Sequence, residues 1–346
     1  REARHAMTAK PKVVIIGTGG TIAGRAASAT DLAYDAAQLS VDELLVAIPG
    51  LKDIADISAT NLFALNSKDM GPGEWLQLAR RIETCAEDQD TAGIVVTHGT
   101  DTLEEAALFL ELTLRTQKPV VITGSMRAAT ALSADGPANL YQAVQVSASN
   151  QAVGRGVLVV LNGEIFSGAR VIKSHSIATD AFKASAGGLI GSAYSGHTFF
   201  FVPPGFSPLH GAFHRVLQND QALPQVGVHY ITAGGNEQAL VSLEAAGCQG
   251  LVLAAFGSGE IPEALVPSAQ AIAERGIPIV VSSRVNHAVV LPDTMTLNEG
   301  GNVVASRHLN PQKSAILLTL TLATGSDPRD VFTRADIAEQ RNDRNT

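Results

Sequence analysis

The 346-residue chain lacks long apolar runs. None of its segments approaches the roughly 18 residues that a membrane-spanning helix needs, so membrane insertion is not expected. Clusters of basic residues are absent too, and no aromatic residues are interleaved with basic ones. Together with a formal net charge of -8, this argues against a nucleic-acid partner.

Cysteine is equally scarce. Cys85 and Cys248 lie far apart in sequence, and we expect two unpaired, partly buried thiols in separate domains. The first ten residues contain no apolar segment typical of a signal peptide, and Met7 is expected to be the native start. These features favour the cytoplasm, with the periplasm as the alternative if a signal peptide was trimmed.

What the chain does contain is an alternation of strand-like and helix-like segments. Its length allows two domains, and 45% apolar with 17% charged residues is typical of a globular protein. The alternation predicts a larger N-terminal α/β domain, residues 10–200, with a mostly parallel sheet flanked by helices. Predicted strands are Lys12–Gly17, Gly93–Thr97, Pro119–Thr123 and Gly156–Leu161, and predicted helices are Glu74–Cys85, Leu103–Thr116 and Ala138–Ser149.

A segment rich in proline and glycine, residues 201–223, is predicted to be a linker. His210 and His214 have the spacing of a zinc-binding helix, but the glutamate between them is missing and the neighbouring residues disfavour a helix. We therefore interpret them as linker histidines. Residues 224–346 are predicted to form a smaller α/β domain. Its predicted strands are Gln225–Tyr230, Gly250–Ala254 and Ile277–Ser282, and its predicted helices are Glu237–Ala246, Glu263–Arg275 and Pro311–Ala323.

The predicted helix from Leu103 has a clear apolar stripe. The stripe leaves three acidic residues, Glu104, Glu105 and Glu111, outside it and therefore expected at the surface. Asp101 or Thr102 is a suitable cap for this helix, and an acidic first turn suits its positive end.

Two turns that follow buried-strand patterns carry the polar residues of most interest. An open α/β sheet presents its chemistry at the carboxyl ends of its strands, which is where Gly17–Gly24 and Thr97–Thr102 stand. The first turn is not a dinucleotide fingerprint, because Ile22 occupies the position of the third glycine, and no phosphate-loop lysine follows. No Asp–His pair accompanies a serine, so the implied nucleophile is a threonine.

The second turn combines a hydroxyl, Thr100, with a carboxylate, Asp101. Both have plainer interpretations, as a turn residue and a helix cap. A threonine hydroxyl needs help to lose its proton, and a desolvated lysine is able to supply it. Lys173, which follows a predicted strand, is the candidate, although by itself it reads as a surface lysine.

Four motifs, in order, make the chain resemble the bacterial L-asparaginases, a homotetrameric family that includes the asparaginase–glutaminases. The resemblance extends from about Lys12 to Ala323. The motifs are Gly19–Ala23, His98–Thr102, Ser133–Pro137 and Leu309–Lys313.

The resemblance implies a covalent role for Thr21 and a supporting one for a second set of residues. Thr21 is expected to attack the substrate amide, activated by Tyr34 on a lid that runs from Ala26 to about Ser40. Thr100, Asp101 and Lys173 are expected to handle protons and to activate water. No cofactor and no metal are implied.

The resemblance also implies how substrate is held. Ser67 and Asp101 are expected to bind the α-carboxylate and α-amino groups, in a site that the smaller domain of a neighbouring subunit closes within a dimer of close dimers. The expected substrate-binding residues are Gly20, Ser67, Lys68, Asp101, Ser125 and Glu260.

Three positions around the substrate's α-amino group depart from the family pattern. Lys68 stands where the family often has glutamine, Glu260 replaces an asparagine or serine, and Met295 replaces a glutamate. A lysine close to the substrate's ammonium group is repelled by it unless a negative charge compensates. Glu260 is the candidate for that negative charge. The alternative is that the loop around Met295 is aligned with an offset. In that case Glu299 or Asp293 supplies the acid that the family has near the α-amino group.

The leading interpretation is hydrolysis of L-asparagine to L-aspartate and ammonia. The same chemistry with a preference for L-glutamine, D-asparagine or a des-amino carboxamide is the alternative enzyme function. A non-catalytic amino-acid sensor is the third possibility. Both threonines, the lysine and the tyrosine argue against it, because a pure binder needs no nucleophile.

Overall fold

A computed structural model of the chain describes residues 9–28, 30, 34–35, 38–185 and 187–335. The described residues form two compact units. The first contains the residues up to Ala107 together with Thr116–Gly205, and the second contains Leu108–Arg115 and the residues from Phe206 onward.

The first unit is built on an eight-stranded sheet. Its order is β12-β11-β8-β7-β6-β5-β1-β4; the pairs from β7 to β4 are parallel and the remaining ones antiparallel. The strands of this unit are β1 Lys12–Gly19, β2 Arg25–Ala26, β3 Tyr34–Asp35, β4 Asp56–Leu65, β5 Thr91–Thr97, β6 Val120–Thr123, β7 Val157–Leu161, β8 Glu164–Ser167, β9 Val171–Lys173, β10 Phe182–Ala184, β11 Leu189–Tyr194 and β12 His197–Phe200.

The centre of this sheet is buried because its strands are continuous runs of β-branched residues, as expected for parallel strands covered on both faces. The chain order reverses at β1, next to the β4 edge of the sheet. From β1 the chain moves to β4 on one side, returns to β5 on the other side of β1, and then continues to β6 and β7. Ligands of open α/β sheets bind at such a switch point, beyond the carboxyl ends of the strands.

Helices cover this sheet. They are α1 Val41–Val46, α2 Leu51–Ile54, α3 Pro72–Glu87, α4 Leu103–Thr113 and α5 Gly136–Ser147. One core cluster joins apolar side chains of β1, β5 and β6 to those of α5. α4 begins in the first unit and ends in the second.

The prediction for α4 is wrong in one respect. Glu104 and Glu111, expected at the surface, are 3% and 2% exposed. The apolar stripe of an amphipathic helix does not account for these two carboxylates, so both require polar partners inside the protein.

Two short ribbons stand apart from the large sheet. β2 pairs with β3, and β9 pairs antiparallel with β10 so that Lys173 lies opposite Phe182.

The second unit is a smaller parallel sheet of order β13-β14-β15-β16. Its elements are β13 Val226–Tyr230, α6 Gln238–Ala245, β14 Gly250–Ala255, α7 Val266–Glu274, β15 Ile279–Ser283, β16 Val303–Ala305, α8 Pro311–Ala323 and α9 Pro328–Ala335. Within this unit the segment predicted as a linker contains the 3-10 helix His214–Gln218, and Phe213 donates its backbone N–H to Leu112 O.

These features confirm the predicted α/β class and the larger and smaller sheets. Cys85 and Cys248 are unpaired and buried, one in each unit, as expected. The sequence analysis did not predict β4, β8, β11 and β12 of the large sheet, either of the two ribbons, or β16. β4 is the outer parallel strand, and its alternating, half-exposed residues do not form an apolar run.

Candidate active site

Two turns meet at the switch point between β1 and β5. Gly20 has φ 80°, and a Cβ built there lies 2.4 Å from the Cα of Gly99. A Cβ built on Gly99 lies 2.5 Å from Ser67 Oγ. Only glycine permits this approach, so the turns that carry Thr21 and Thr100 contact each other at their glycines.

Hydrogen bonds fix the turns to each other. Thr18 Oγ1 donates to Thr97 O over 2.9 Å and so joins the first turn to β5. Ser67 Oγ accepts the backbone N–H of Asp101 over 3.3 Å, and Thr102 Oγ1 donates to Ser67 O over 2.8 Å. The predicted substrate-binding serine therefore also holds the second turn in place.

The two threonines are largely shielded from solvent. Thr21 and Thr100 are each 5% exposed. Thr21 is the first residue of the 3-10 helix Thr21–Ala23, which directly follows Gly20.

Lys173 completes a cluster with the second turn. Its Nζ lies 3.0 Å from Thr100 Oγ1 and 2.6 Å from Asp101 Oδ1. The lysine side chain is 16% exposed and the Asp101 side chain 59%, so the ion pair is open to solvent on the carboxylate side. The structure thus brings together the three residues predicted as one set, although the lysine is paired with a carboxylate rather than isolated in an apolar site.

Tyr34 is only partly described. Its backbone belongs to β3 and pairs with Ala26, but its side chain and much of the predicted lid lie outside the described residues. The base of that segment is held where Gln38 and Leu39 donate their N–H groups to Ala23 O.

Ser125 lies in a loop organised by a third motif. Ser125 is 1% exposed, and its Oγ donates to Arg127 O over 2.7 Å. Asp135, from the Ser133–Pro137 motif, accepts the backbone N–H groups of Met126 and Arg127, both over 2.9 Å. The acidic residue of the motif therefore shapes the loop after β6.

Lys68 and Glu260, the two charged departures, lie in different units. Lys68 is exposed and forms no ion pair within the part of the chain that the structure describes. Glu260 is exposed in the second unit, where its Oε2 accepts a hydrogen bond from Thr296 Oγ1 over 2.9 Å. The predicted pairing of Glu260 with Lys68 stays a prediction.

Two other positions of the second unit bear on the substrate-binding acid, Glu299 and the position where Met295 replaces a glutamate. Glu299 lies 3.5 Å from the Arg307 guanidinium and accepts the backbone N–H of Ala305. Met295 packs against Gly259 and the apolar core. Glu299 is therefore occupied by structural contacts, which weakens the alternative that it supplies the substrate-binding acid.

Sequence reasoning missed two buried groups next to the site. His98 is fully buried; desolvation lowers its pKa to about 4, its Nδ1 hydrogen-bonds Gly99 O over 2.8 Å, and its Nε2 has no partner among the described atoms. Glu104 Oε2 accepts the backbone N–H of Lys173 over 2.5 Å. The only signal available in the sequence was their position within or just after the His98–Thr102 motif.

Comparison with known proteins identifies the family. The family description "Asparaginase, N-terminal" matches residues 12–204, and "Glutaminase/Asparaginase C-terminal domain" matches residues 225–333. The chain belongs to the asparaginase family. It is accordingly an amidohydrolase of L-asparaginase type, as the resemblance implied.

Other members of the asparaginase family are similar over nearly their full length. A probable periplasmic L-asparaginase of Haemophilus influenzae is 39% identical over 92% of this chain and 90% of the relative. The glutaminase-asparaginase of Pseudomonas aeruginosa is 38% identical over 92% and 88%. The crystal structure of a probable cytoplasmic L-asparaginase from Campylobacter jejuni covers 94% of this chain and 99% of its own, with a TM-score of 0.87 and 36% identity.

The described part of this asparaginase contains no helix long and apolar enough to span a membrane. Among the same residues, no group of three or more His, Cys, Asp or Glu side chains is arranged to hold a metal ion. The named relatives include a periplasmic and a cytoplasmic protein, so the expected cytoplasmic location stays a prediction.

Proposed function

We propose that this asparaginase hydrolyses the side-chain amide of L-asparagine to L-aspartate and ammonia, with Thr21 as nucleophile. The observation that carries the proposal is the contact of the two glycine turns at the switch point, Gly20 against Gly99, beside the cluster of Thr100, Asp101 and Lys173. Relatives named L-asparaginase support the choice of substrate.

In the first half-reaction, Thr21 Oγ1 forms a bond to the carboxamide carbon and the carbonyl oxygen becomes an oxyanion. Backbone N–H groups near Thr21 and Thr100 stabilise this charge. The C–N bond then breaks, and the nitrogen leaves as ammonia carrying the proton that Thr21 lost. An ester of Thr21 remains. In this proposal, Tyr34 is the group that assists the proton's departure.

In the second half-reaction, water adds to the ester carbon and the Thr21–acyl bond breaks. The water gives one proton back to Thr21 and its oxygen becomes part of the product carboxylate. Thr100, Asp101 and Lys173 are the candidates to orient the water and carry its proton, because their polar atoms form a continuous chain of contacts of 3.0 and 2.6 Å.

We infer that substrate lies over the turns, with Ser67 and Asp101 on its α-carboxylate and α-amino groups and Gly20 and Ser125 lining the pocket. Asp101 is suited to an ammonium because its carboxylate is open to solvent. Glu260 is proposed to come from a neighbouring subunit in a homotetramer built from close dimers. Light scattering of the purified protein tests the assembly, and a monomer would contradict it.

A shifted substrate preference is the second candidate function, and Lys68 is the observation that favours it. Its ammonium is exposed and free of any described ion pair, on the residue next to the proposed carboxylate-binding Ser67. Exchange of Lys68 for Gln is expected to change the ratio of kcat/KM values for L-asparagine and succinamic acid by about tenfold, the effect of roughly one weakened charge contact. An unchanged ratio would exclude this candidate.

Ammonia release from L-asparagine, D-asparagine, L-glutamine and succinamic acid tests the function as a whole. Turnover led by L-asparagine, and lost in Thr21→Ala, is the expected result. Turnover led by another amide would favour the shifted preference. Binding of these amides without ammonia release would favour the sensor and overturn the proposal.

A further inference from the structure

A buried carboxylate next to the candidate site is not explained by the proposed chemistry. Glu104 is 3% exposed and lies in the first turn of α4. Burying a carboxylate is costly unless hydrogen bonds compensate it. The backbone N–H of Lys173, 69 residues further along the chain, donates such a bond.

The same lysine contacts two acids near the start of α4. Asp101 lies in the turn that precedes α4, and Glu104 lies in the first turn of the helix. Asp101 accepts from the Lys173 ammonium over 2.6 Å, and Glu104 accepts from the Lys173 backbone over 2.5 Å. The positive end of the helix favours both carboxylates. Lys173 is thus held at its side chain and at its backbone.

The element that carries Lys173 needs such support. β9 and β10 form a two-stranded ribbon separate from the eight-stranded sheet, and two-stranded ribbons have little stability of their own. Lys173 is the last residue of β9. A displacement of this backbone moves Nζ away from Thr100 Oγ1, and a shift of about 1 Å in a reacting group is enough to cost about 10²-fold in rate.

We propose that Glu104 is a positioning residue for this reaction: its carboxylate, as a hydrogen-bond acceptor for the Lys173 backbone N–H, fixes the lysine ammonium against Thr100. The inference rests on the proposed function of Lys173. For this bond we expect the position of the acceptor oxygen to matter more than the charge, because its donor is an uncharged amide.

Two substitutions separate these properties. Glu104→Gln removes the charge but keeps an acceptor oxygen at the same reach, whereas Glu104→Asp keeps the charge and withdraws the oxygen by one methylene. We expect Glu104→Gln to stay within about fivefold of the wild-type kcat for the best amide substrate. Glu104→Asp and Glu104→Ala are expected to lower kcat about 10²-fold with KM within about threefold. Glu105→Ala on the same turn is the matched control and is expected to turn over like wild type.

Melting temperatures and circular dichroism establish whether each variant is folded. If Glu104→Ala does not fold, the comparison of kcat between Glu104→Asp and Glu104→Gln still decides the question. An active Glu104→Asp with an inactive Glu104→Gln would overturn the proposal in favour of charge. Wild-type turnover in all three variants would overturn it altogether. Absence of ammonia release from wild type would instead refute the proposed function, which distinguishes the two failures.

Discussion

The two α/β units end their central parallel strands in similar turns, but they use those turns differently. After β14 of the smaller unit, Gly257 has a positive φ and open space where a side chain would go. The Ser283 hydroxyl nearby donates to Gly257 O, and Glu260 is exposed. In the larger unit, Gly20 lies against the Gly99 backbone, and the threonines that follow are buried. Close approach of two turns, not glycine content, distinguishes the candidate site.

The larger unit also receives a residue from outside its parallel strands. Lys173 lies on the β9–β10 ribbon, and its ammonium contacts Thr100 and Asp101 just before the start of α4. Four pairs of substitutions test this comparison, the first two through ammonia release and the last two through stability.

Removal of the nucleophile gives the largest expected effect. Thr21→Ala is expected to lower kcat for ammonia release by about 10⁴-fold or more, because the covalent step is lost. Thr21→Ser, which keeps a hydroxyl, is the control and should retain measurable turnover. Near-wild-type rates for Thr21→Ala would contradict the role of the first turn.

Removal of the lysine has a smaller effect. Lys173→Met keeps the length of the side chain without the ammonium, and kcat is expected to fall roughly 10²- to 10³-fold, the usual contribution of a proton-transfer group. Lys183→Met on the same ribbon, where the lysine pairs only with Asp180 among described residues, is the matched control. Equal loss in both variants would point to ribbon folding instead of chemistry.

Glycine substitutions separate close approach from backbone conformation. Gly20→Ala combines an unfavourable φ with a clash against Gly99, so we expect a loss of about 3 kcal/mol or more in unfolding free energy, together with loss of activity. Gly257→Ala has the strained φ alone and should cost about 1 to 2 kcal/mol. Denaturant midpoints measure both, and equal costs would refute the importance of the contact.

The buried histidine predicts an acid-sensitive stability. Desolvation lowers the pKa of His98 to about 4 in the folded protein, against 6.5 for an unperturbed histidine. The unfolded chain therefore binds the proton first, and the free energy of unfolding falls by about 3 kcal/mol as the pH drops from 6.5 to 4. His98→Asn should flatten this part of the pH profile.

His229 of the smaller unit is the comparison for that measurement. Desolvation also lowers its pKa, but the side chain is only half-buried. His229→Asn should change the same pH range less than His98→Asn does. Equal profiles for the two variants would contradict the environment assigned to His98.

Sequence patterns predict the parallel strands well because β1, β5 and β6 are continuous apolar runs. They fail for β4, whose half-exposed residues give no such run. The threonine turns follow from strand ends, and Lys173 was a candidate from its place after a predicted strand. Only its grouping in one set with Thr100 and Asp101 came from the family resemblance. The Glu104–Lys173 contact joins residues 69 positions apart, and a helical stripe predicted Glu104 to be exposed. Local patterns carry no information about such a contact, because it depends on where a separate ribbon folds back.

Peptide mapping of the acid-quenched enzyme after brief mixing with L-asparagine is the most direct test of whether Thr21 is the nucleophile. With Thr21 as nucleophile, an aspartyl ester is expected on the peptide that contains Thr21, and no ester is expected in Thr21→Ala. An ester on the peptide that contains Thr100, or on any other residue, would contradict it.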